Sequence, residues 1–310
     1  MYDIINVLDN RTINKGVVLS LNTNSTNKLI EKYKLSKEEH EAILKKLKKN
    51  IFSEKTPTSH PSVIFVIGQP GCGKTTFIQN ADFANYININ SDDYRHFSKY
   101  SDEILREYPT YYAKLTNFDA HLWGDELFSY GIKNGYSVLR EKAPVNYGLL
   151  ETIKELSCEY DLNIYVVTTG NITSLLATRE RYEREILKNS RAKLSSIEAH
   201  NKCYTLLPDF ISQCLQLGVK VSYVIPVNNQ YRIVSVTDNS FSMLRQFRQA
   251  SNEETCTNFE ERIKNIKIAM RKRNAPKQQF EELYKIEKIY LDVVNNKKRN
   301  IKTEELENEK

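Results

Sequence analysis

The sequence predicts an α/β fold in which helices cover both faces of a parallel sheet, with a helical extension at the C-terminus. Strand-like and helix-like segments alternate between residues 63 and 236, as they do in parallel sheets. A glycine-rich pattern follows the first strand and opens the next helix. After residue 240 the composition changes to charged helix.

The chain begins with a polar, asparagine-rich segment, for which we expect an N-terminal arm over residues 1–28. The first helix is predicted by a capping box, in which Ser36 and Glu39 have the S-x-x-E spacing. Ile43, Leu44 and Leu47 then recur at helical spacing. Prolines at 57 and 61 end this helix before the first strand.

The strands and helices of the central domain, predicted over residues 29–240, follow in order. Strands are predicted at 63–67, 86–90, 136–140, 163–168 and 219–224, with a candidate edge strand at 231–236. Helices are predicted at 112–133, 147–159, 171–188 and 196–216. In the extension, residues 241–310, Pro276 separates helical segments 259–273 and 277–295, which predicts a helical hairpin.

Composition narrows the class of protein. Hydrophobic residues make up 40% and charged residues 27% of the chain, which is typical of a folded globular protein. No apolar run approaches the roughly 18 residues of a membrane span and no secretory signal is evident, so we expect a cytoplasmic protein without a membrane partner. Five scattered cysteines without a C-x-x-C pair argue against disulfides and zinc. The net charge of +6 is too mild to predict a nucleic-acid partner.

The glycine-rich pattern is G-x-x-x-x-G-K-T, the phosphate-binding P-loop. Backbone amides of such a loop wrap the phosphates, Lys74 reaches the β- and γ-phosphates, and the Thr75 hydroxyl ligates Mg²⁺. We therefore expect ATP and Mg²⁺ as cofactors. The chain lacks the N-K-x-D of GTPases and the Asp-Glu strand end of motor ATPases, which leaves ATP-dependent group transfer. The predicted nucleotide-binding residues are Gly68, Gln69, Pro70, Gly71, Cys72, Gly73, Lys74, Thr75 and Thr76.

Acidic and basic residues are predicted around this loop. Asp92 and Asp93 follow the second strand at the edge where the loop lies, so either can act as general base or as a helix cap. Glu141 ends the third strand on that edge and is a candidate ligand for substrate hydroxyls or Mg²⁺. Arginines between 179 and 191 are candidates for binding the transferred phosphate, although helical ion pairs also explain part of this run.

Several motifs together resemble the zeta toxin family of P-loop kinases, over about residues 30–225. The motifs are LSKEEH at 35–40, GQPGCGKT at 68–75, SDDYR at 91–95, NGY at 134–136, ERYE at 180–183, and Arg191 followed by His200. The resemblance implies a kinase that phosphorylates a sugar hydroxyl of UDP-N-acetylglucosamine and is restrained by an antitoxin protein.

Position by position, the resemblance implies Asp92 as the catalytic base, because it is the acid two residues before the aromatic of D-x-[FY]-[RK]. It implies Arg181 and Arg191 as phosphate-binding catalytic residues beside Lys74, and Glu141 and Asp125 as substrate contacts. The family continues its third strand as E-G-T-x-R, whereas Glu141 is followed here by KAPV. The acceptor therefore stays open between a UDP-sugar and another nucleotide-linked metabolite such as NAD, and a non-catalytic nucleotide-binding protein is the further alternative.

Overall fold

A computed structural model describes residues 23–108, 111–145, 148–188, 192–227, 230–237, 239 and 241–308. Most of the predicted N-terminal arm lies outside these residues, and its last part already belongs to a helix. The helices are α1 (Thr23–Lys32), α2 (Lys37–Phe52), α3 (Lys74–Asn80), α4 (Ser101–Glu107), α5 (Tyr112–Leu115), α6 (Asn117–Lys133), α7 (Leu149–Ser157), α8 (Asn171–Leu187), α9 (Ile197–Gln216), α10 (Ser242–Lys272) and α11 (Lys277–Asn308), with a 3-10 helix at Ser91–Phe97.

The start of α2 has the predicted capping box. The Ser36 hydroxyl accepts a hydrogen bond from the Glu39 amide at 3.3 Å, and the Glu39 carboxylate accepts one from the Ser36 amide at 3.0 Å. These bonds satisfy two backbone donors that have no partner within the helix.

Six strands form one sheet in the order β2-β3-β1-β4-β5-β6. The first five are parallel, and the edge strand β6 pairs antiparallel with β5. The predicted parallel sheet and its edge strand are therefore confirmed. The strands are β1 (Ser62–Ile67), β2 (Ile87–Asn88), β3 (Val138–Lys142), β4 (Asp161–Val167), β5 (Lys220–Val227) and β6 (Gln230–Ser235).

Helices cover both faces of the sheet because the buried strands are apolar on both sides. Val63, Phe65 and Ile67 of β1 belong to the core beneath α2, α6, α7 and α9. Ile64 and Val66, between them in sequence, pack on the opposite face with Phe77 of α3. The P-loop directly follows β1 and therefore lies at the C-terminal edge of the sheet, where open α/β sheets bind their ligands.

The C-terminal hairpin is longer than predicted. Helix α10 begins at Ser242 instead of residue 259, and Pro276 separates it from α11 as expected. Phe259 of α10 and Tyr290 of α11 stack with ring centroids 3.7 Å apart. The hairpin packs against α8 through a shared apolar core. The domain boundary at residue 240 stays a prediction. In the part of the chain described above, no helix has both the length and the apolar character needed to cross a membrane.

Candidate active site

The P-loop connects β1 to α3 and lies against the first turns of α8. Gly71 and Gly73 have φ of +78° and +96°, a region that favours glycine. A Cβ atom at Gly71 would lie 2.1 Å from the Ser174 carbonyl oxygen of α8. The loop therefore needs glycine at position 71 both for its conformation and for its close approach to α8.

Lys74 and Thr75 open α3 and meet Glu141 of β3. Lys74 is buried, and its Nζ donates to the carbonyl oxygens of Gly68 and Gln69 at 2.9 and 3.0 Å. The Glu141 carboxylate lies 3.7 Å from the Lys74 Nζ and accepts a 2.9 Å hydrogen bond from the Thr75 hydroxyl. The structure thus brings the predicted Glu141 next to the predicted Mg²⁺ ligand.

Two other loop side chains are fully enclosed. The Gln69 amide nitrogen donates to the Thr169 carbonyl at 3.1 Å and to the Ser174 hydroxyl at 3.3 Å. Ser174 in turn contacts His200 Nε2 at 2.7 Å, so the loop is bound to α8 and α9 through a buried polar network. Burial raises the pKa of the Cys72 thiol, which agrees with an inert filler.

Asp92 lies in the first turn of the 3-10 helix after β2, but it is not the cap. Asn90 caps this helix, since its side-chain oxygen accepts from the Asp92 amide at 3.1 Å. The Asp92 carboxylate instead binds the Arg95 guanidinium, at 2.6 Å to Nη2 and 2.9 Å to Nε, and the Lys193 Nζ at 3.0 and 3.2 Å. Partial burial raises the pKa of Asp92, but the charges of Lys193 and Arg95 outweigh it and hold the pKa well below its usual range. Asp92 is therefore ionised at any physiological pH.

Asp93 shares this edge of the sheet with Glu141. Partial burial, followed by the negative charges of Asp92 and Glu141, raises the pKa of Asp93. Repulsion between these acids would be relieved by a cation beside Thr75. Mg²⁺ binds through one or two carboxylates with phosphate oxygens and waters, so the Thr75 hydroxyl and the Glu141 carboxylate fit it. The described residues contain no group of three or more His, Cys, Asp or Glu side chains placed to hold a metal by themselves.

Of the two predicted arginines, the structure describes only Arg181. Arg181 lies on α8, is partly exposed, and has the Glu185 carboxylate one turn further at 3.9 Å. Arg191 lies outside the described residues. Lys193, two positions later, is the cation that reaches Asp92, and sequence reasoning missed it together with Arg95. Both are basic residues in or next to segments that the sequence analysis singled out. Their pairing with Asp92 is visible only in the folded structure.

These side chains line one cavity of about 660 Å³, a volume suited to a nucleotide-sized ligand. The predicted residues that it brings together are Gly71, Gly73, Lys74, Thr75, Thr76, Asp92, Glu141 and Arg181. Their individual roles stay predictions.

Asp125 lines a second cavity of about 460 Å³, on the opposite face of β3 from Glu141. The buried Arg140 guanidinium donates to the Asp125 carboxylate at 2.6 Å, and the Lys142 Nζ lies 3.5 Å from it. Lys142 lines this second cavity whereas Glu141 lines the P-loop cavity, as the alternation of side chains along a strand requires. Asp125 is thus paired with two cations. It does not line the P-loop cavity, so the structure does not bring it together with the other predicted site residues.

The second cavity has a small excess of positive charge, because Lys133, Arg140 and Lys142 line it together with the acids Asp125 and Glu155. Burial, reinforced by the charge of Arg140, lowers the pKa of Lys142 to about 8. His121 also lines the cavity and lies within electrostatic reach of Asp92. Burial and nearby cations lower the pKa of His121 to about 4, so its imidazole is neutral at pH 7. Sequence reasoning missed Arg140 and His121.

The fold has known relatives. A structure from a study of the PezAT chromosomal toxin–antitoxin system of the human pathogen Streptococcus pneumoniae matches with a TM-score of 0.65 at 20% identity, over 76% of this chain and 98% of that chain. The AvrRxo1-ORF1:AvrRxo1-ORF2 complex with sulphate ions matches with a TM-score of 0.52 at 11% identity, over 83% of this chain and 92% of that chain. At these identities the likeness establishes the fold alone.

Among curated proteins no significant match is found. The family model described as "Zeta toxin" matches residues 45–240, which is more than half of the chain and includes the P-loop, Asp92, Glu141 and Arg181. The fold and this match agree with the resemblance inferred from the motifs. The chain belongs to the zeta toxin family.

Proposed function

We propose that the protein is an ATP- and Mg²⁺-dependent kinase that transfers the γ-phosphate to a hydroxyl of an anionic, nucleotide-linked small molecule. One observation carries this proposal: a single cavity contains the P-loop residues Lys74 and Thr75, the ionised Asp92 and the arginine Arg181. Membership of a family of kinases supports the same reaction class.

The residues have distinct tasks in this reaction. Amides of the P-loop and the Lys74 ammonium bind the β- and γ-phosphates, and Arg181 neutralises charge that develops on the transferred group. Thr75 and Glu141 would hold Mg²⁺, which supplies further positive charge at the phosphates. The acceptor oxygen forms its bond to the γ-phosphorus as the bond to the bridging oxygen of ADP breaks, and Asp92 accepts the hydroxyl proton.

A low pKa at Asp92 is compatible with this task. The transition state of phosphoryl transfer is loose, so the carboxylate has to orient the hydroxyl and take its proton late, without being a strong base. Arg95 and Lys193 fix the carboxylate in the cavity through charge-assisted hydrogen bonds of 2.6 to 3.2 Å. Permanent ionisation keeps Asp92 ready to accept the proton over a wide pH range.

The second cavity supports an acceptor that carries negative charge. Three cationic side chains, Lys133, Arg140 and Lys142, line this cavity against two carboxylates, Asp125 and Glu155, and Arg140 and Lys142 both bind Asp125. A diphosphate, as found in nucleotide sugars and in NAD, would complement this surplus. His121 lines this cavity and lies within electrostatic reach of Asp92, which supports an acceptor bound here with its hydroxyl directed toward the base. UDP-N-acetylglucosamine is the family acceptor. Because KAPV follows Glu141 here in place of the family's G-T-x-R, a nucleotide-linked acceptor such as NAD is the alternative.

A protein partner is part of the proposal. The solved relatives come from a toxin–antitoxin study and from a two-component complex, which supports an antitoxin that binds this chain. Expression of the wild-type chain should then arrest bacterial growth, and expression of the Lys74→Ala variant should not. Growth arrest by both would mean that toxicity does not depend on nucleotide binding.

A labelling experiment tests the reaction. The protein is incubated with Mg²⁺, ATP labelled at the γ-phosphate, and a panel containing UDP-N-acetylglucosamine, other UDP-sugars, NAD and uncharged sugars. We expect label on a nucleotide-linked compound, retained with the exposed control Asp82→Asn and lost with Lys74→Ala. Label on an uncharged sugar would contradict the anionic acceptor. ATP binding without transfer to any compound would favour the non-catalytic alternative.

A further inference from the structure

Helix α8 has two functional faces. Ala177, Arg181, Arg184 and Glu185 line the P-loop cavity. The opposite face, which includes Ile172, Leu175, Leu176, Arg179 and Glu183 at helical spacing, is buried. The position of Arg181 over the phosphate site is therefore determined by whatever packs against the buried face.

The C-terminal hairpin provides that packing. Ile172, Leu175 and Leu176 form an apolar core with side chains from both hairpin helices, namely Phe259, Ile263, Ile266 and Met270 of α10 and Leu283 and Ile286 of α11. All of these side chains are almost completely buried. This apolar core ties α8 to the hairpin, but apolar contacts alone do not specify its rotation and tilt closely.

Ion pairs flanking Arg181 in sequence supply the directional contacts. The Arg262 guanidinium donates two hydrogen bonds to the Glu180 carboxylate, both 2.7 Å long. The Arg273 guanidinium binds Glu183 in the same two-point manner at 2.7 and 2.6 Å. Paired bonds of this kind between planar groups restrict angle as well as distance. The two pairs fix Glu180, immediately before the partly exposed Arg181, and Glu183, two residues after it.

The hairpin also holds the start of α8, where the P-loop binds. Asn252 accepts a 3.1 Å hydrogen bond from the Ile172 amide, one of the donors that the helix leaves without a partner. The Thr173 hydroxyl donates to the Ser251 carbonyl at 2.9 Å. A Cβ atom at Gly170 would lie 2.0 Å from the Asn252 side-chain oxygen, so α10 packs directly on the turn before α8.

We propose that the C-terminal hairpin is a working part of the nucleotide site, in which Arg262 and Arg273 are positioning residues that aim Arg181 at the phosphates. The family model ends at residue 240, so these residues lie beyond the portion that it describes. The inference rests on the proposed function in so far as Arg181 binds nucleotide phosphates. A hairpin that inhibited the enzyme would have the opposite effect, because loosening it would raise activity.

A double-mutant cycle in the full-length chain tests the coupling. The variants are Arg181→Ala, Arg262→Ala and their combination, with Arg271→Ala on the exposed side of α10 as the matched control. A charge swap, Glu180→Arg with Arg262→Glu, tests rescue. For each variant we would measure kcat and KM for ATP, and by calorimetry the affinity for a non-hydrolysable ATP analogue. Circular dichroism checks that every variant is folded.

We expect Arg262→Ala to lower kcat and analogue affinity by about tenfold, and to change little further when Arg181 is already absent. The charge swap should restore most of the loss, and Arg271→Ala should match the wild type. Effects of Arg262→Ala and Arg181→Ala that multiply in the double variant, or an Arg262→Ala variant identical to the control, would overturn the inference. If the wild-type chain binds the analogue but transfers phosphate to no acceptor, the proposed function fails, and the affinity cycle still decides the role of Arg262.

Discussion

Replacing Gly71 by alanine should damage the phosphate site more than an equivalent change at any other positive-φ glycine in the described residues. Gly71 has φ of +78°, and a Cβ there would lie 2.1 Å from the Ser174 carbonyl oxygen and 2.8 Å from the Thr178 side chain. Contacts that short force the P-loop and the backbone of α8 apart. Because Lys74 and Arg181 sit on the two separated elements, nucleotide binding should suffer together with stability.

The structure supplies two matched comparisons for the size of the effect. Gly73 and Gly148 also have positive φ, but a Cβ at either would meet nothing within 4 Å. Alanine at these two positions should cost only the backbone strain of about 1 to 2 kcal/mol. At Gly71 the strain and the clash add, and we expect a loss of roughly 3 to 5 kcal/mol in the free energy of unfolding.

Urea denaturation gives the free energy of unfolding of each variant, and calorimetry gives the affinity for ATP. We expect Gly71→Ala to lose at least about tenfold in ATP affinity, equivalent to 1.4 kcal/mol. Gly148→Ala, outside the loop, should bind ATP like the wild type. A Gly71→Ala variant that is no less stable than Gly73→Ala and binds ATP normally would refute the described packing of the loop on α8.

Three further predictions concern charge and packing. Binding of an anionic acceptor should weaken as pH rises through about 8, where Lys142 loses its proton, and calorimetry of the Lys142→Met variant should show no such dependence. Asp92 has a lowered pKa in the folded state, so its contribution to stability is present above the usual carboxyl pKa and is lost as pH falls through the lower folded value. The stability gap between wild type and Asp92→Asn in urea denaturation should therefore shrink in acid, and a constant gap would contradict the ion pairs. Ile263→Ala should lose about 2 to 5 kcal/mol of unfolding free energy because it leaves a cavity between α10 and α8, whereas Ile268→Ala, at an exposed position, should lose much less.

The sheet and the P-loop could be predicted because their signals are local. Apolar strands alternate with helices at fixed periods, and the phosphate loop is a contiguous motif. The length of α10 could not be predicted in this way. Its first half faces α8 and α9 with polar side chains, among them Arg248, Ser251, Asn252 and Thr255, so no apolar period reveals it.

The sequence predicted only those parts of the site that have a local signal. Lys74, Thr75, Asp92 and Glu141 follow motifs or strand ends, and they meet in one cavity. The pairing of Asp92 with Lys193 joins residues 101 positions apart, and that of Arg140 with Asp125 crosses from β3 to α6. Spacing along the chain contains no information about such pairs. Only the folded arrangement separates the P-loop cavity from the second, cationic one.

The most direct test of the kinase proposal is the mass of metabolites in a cell extract treated with ATP, Mg²⁺ and the protein. Wild-type protein should add the mass of one phosphoryl group to a nucleotide-linked compound. The Asp92→Asn variant should leave that compound unchanged while it still binds ATP, because the P-loop is intact and only the proton acceptor is gone. Equal phosphorylation by the two proteins would contradict the assignment of Asp92 as the base that the proposed chemistry requires.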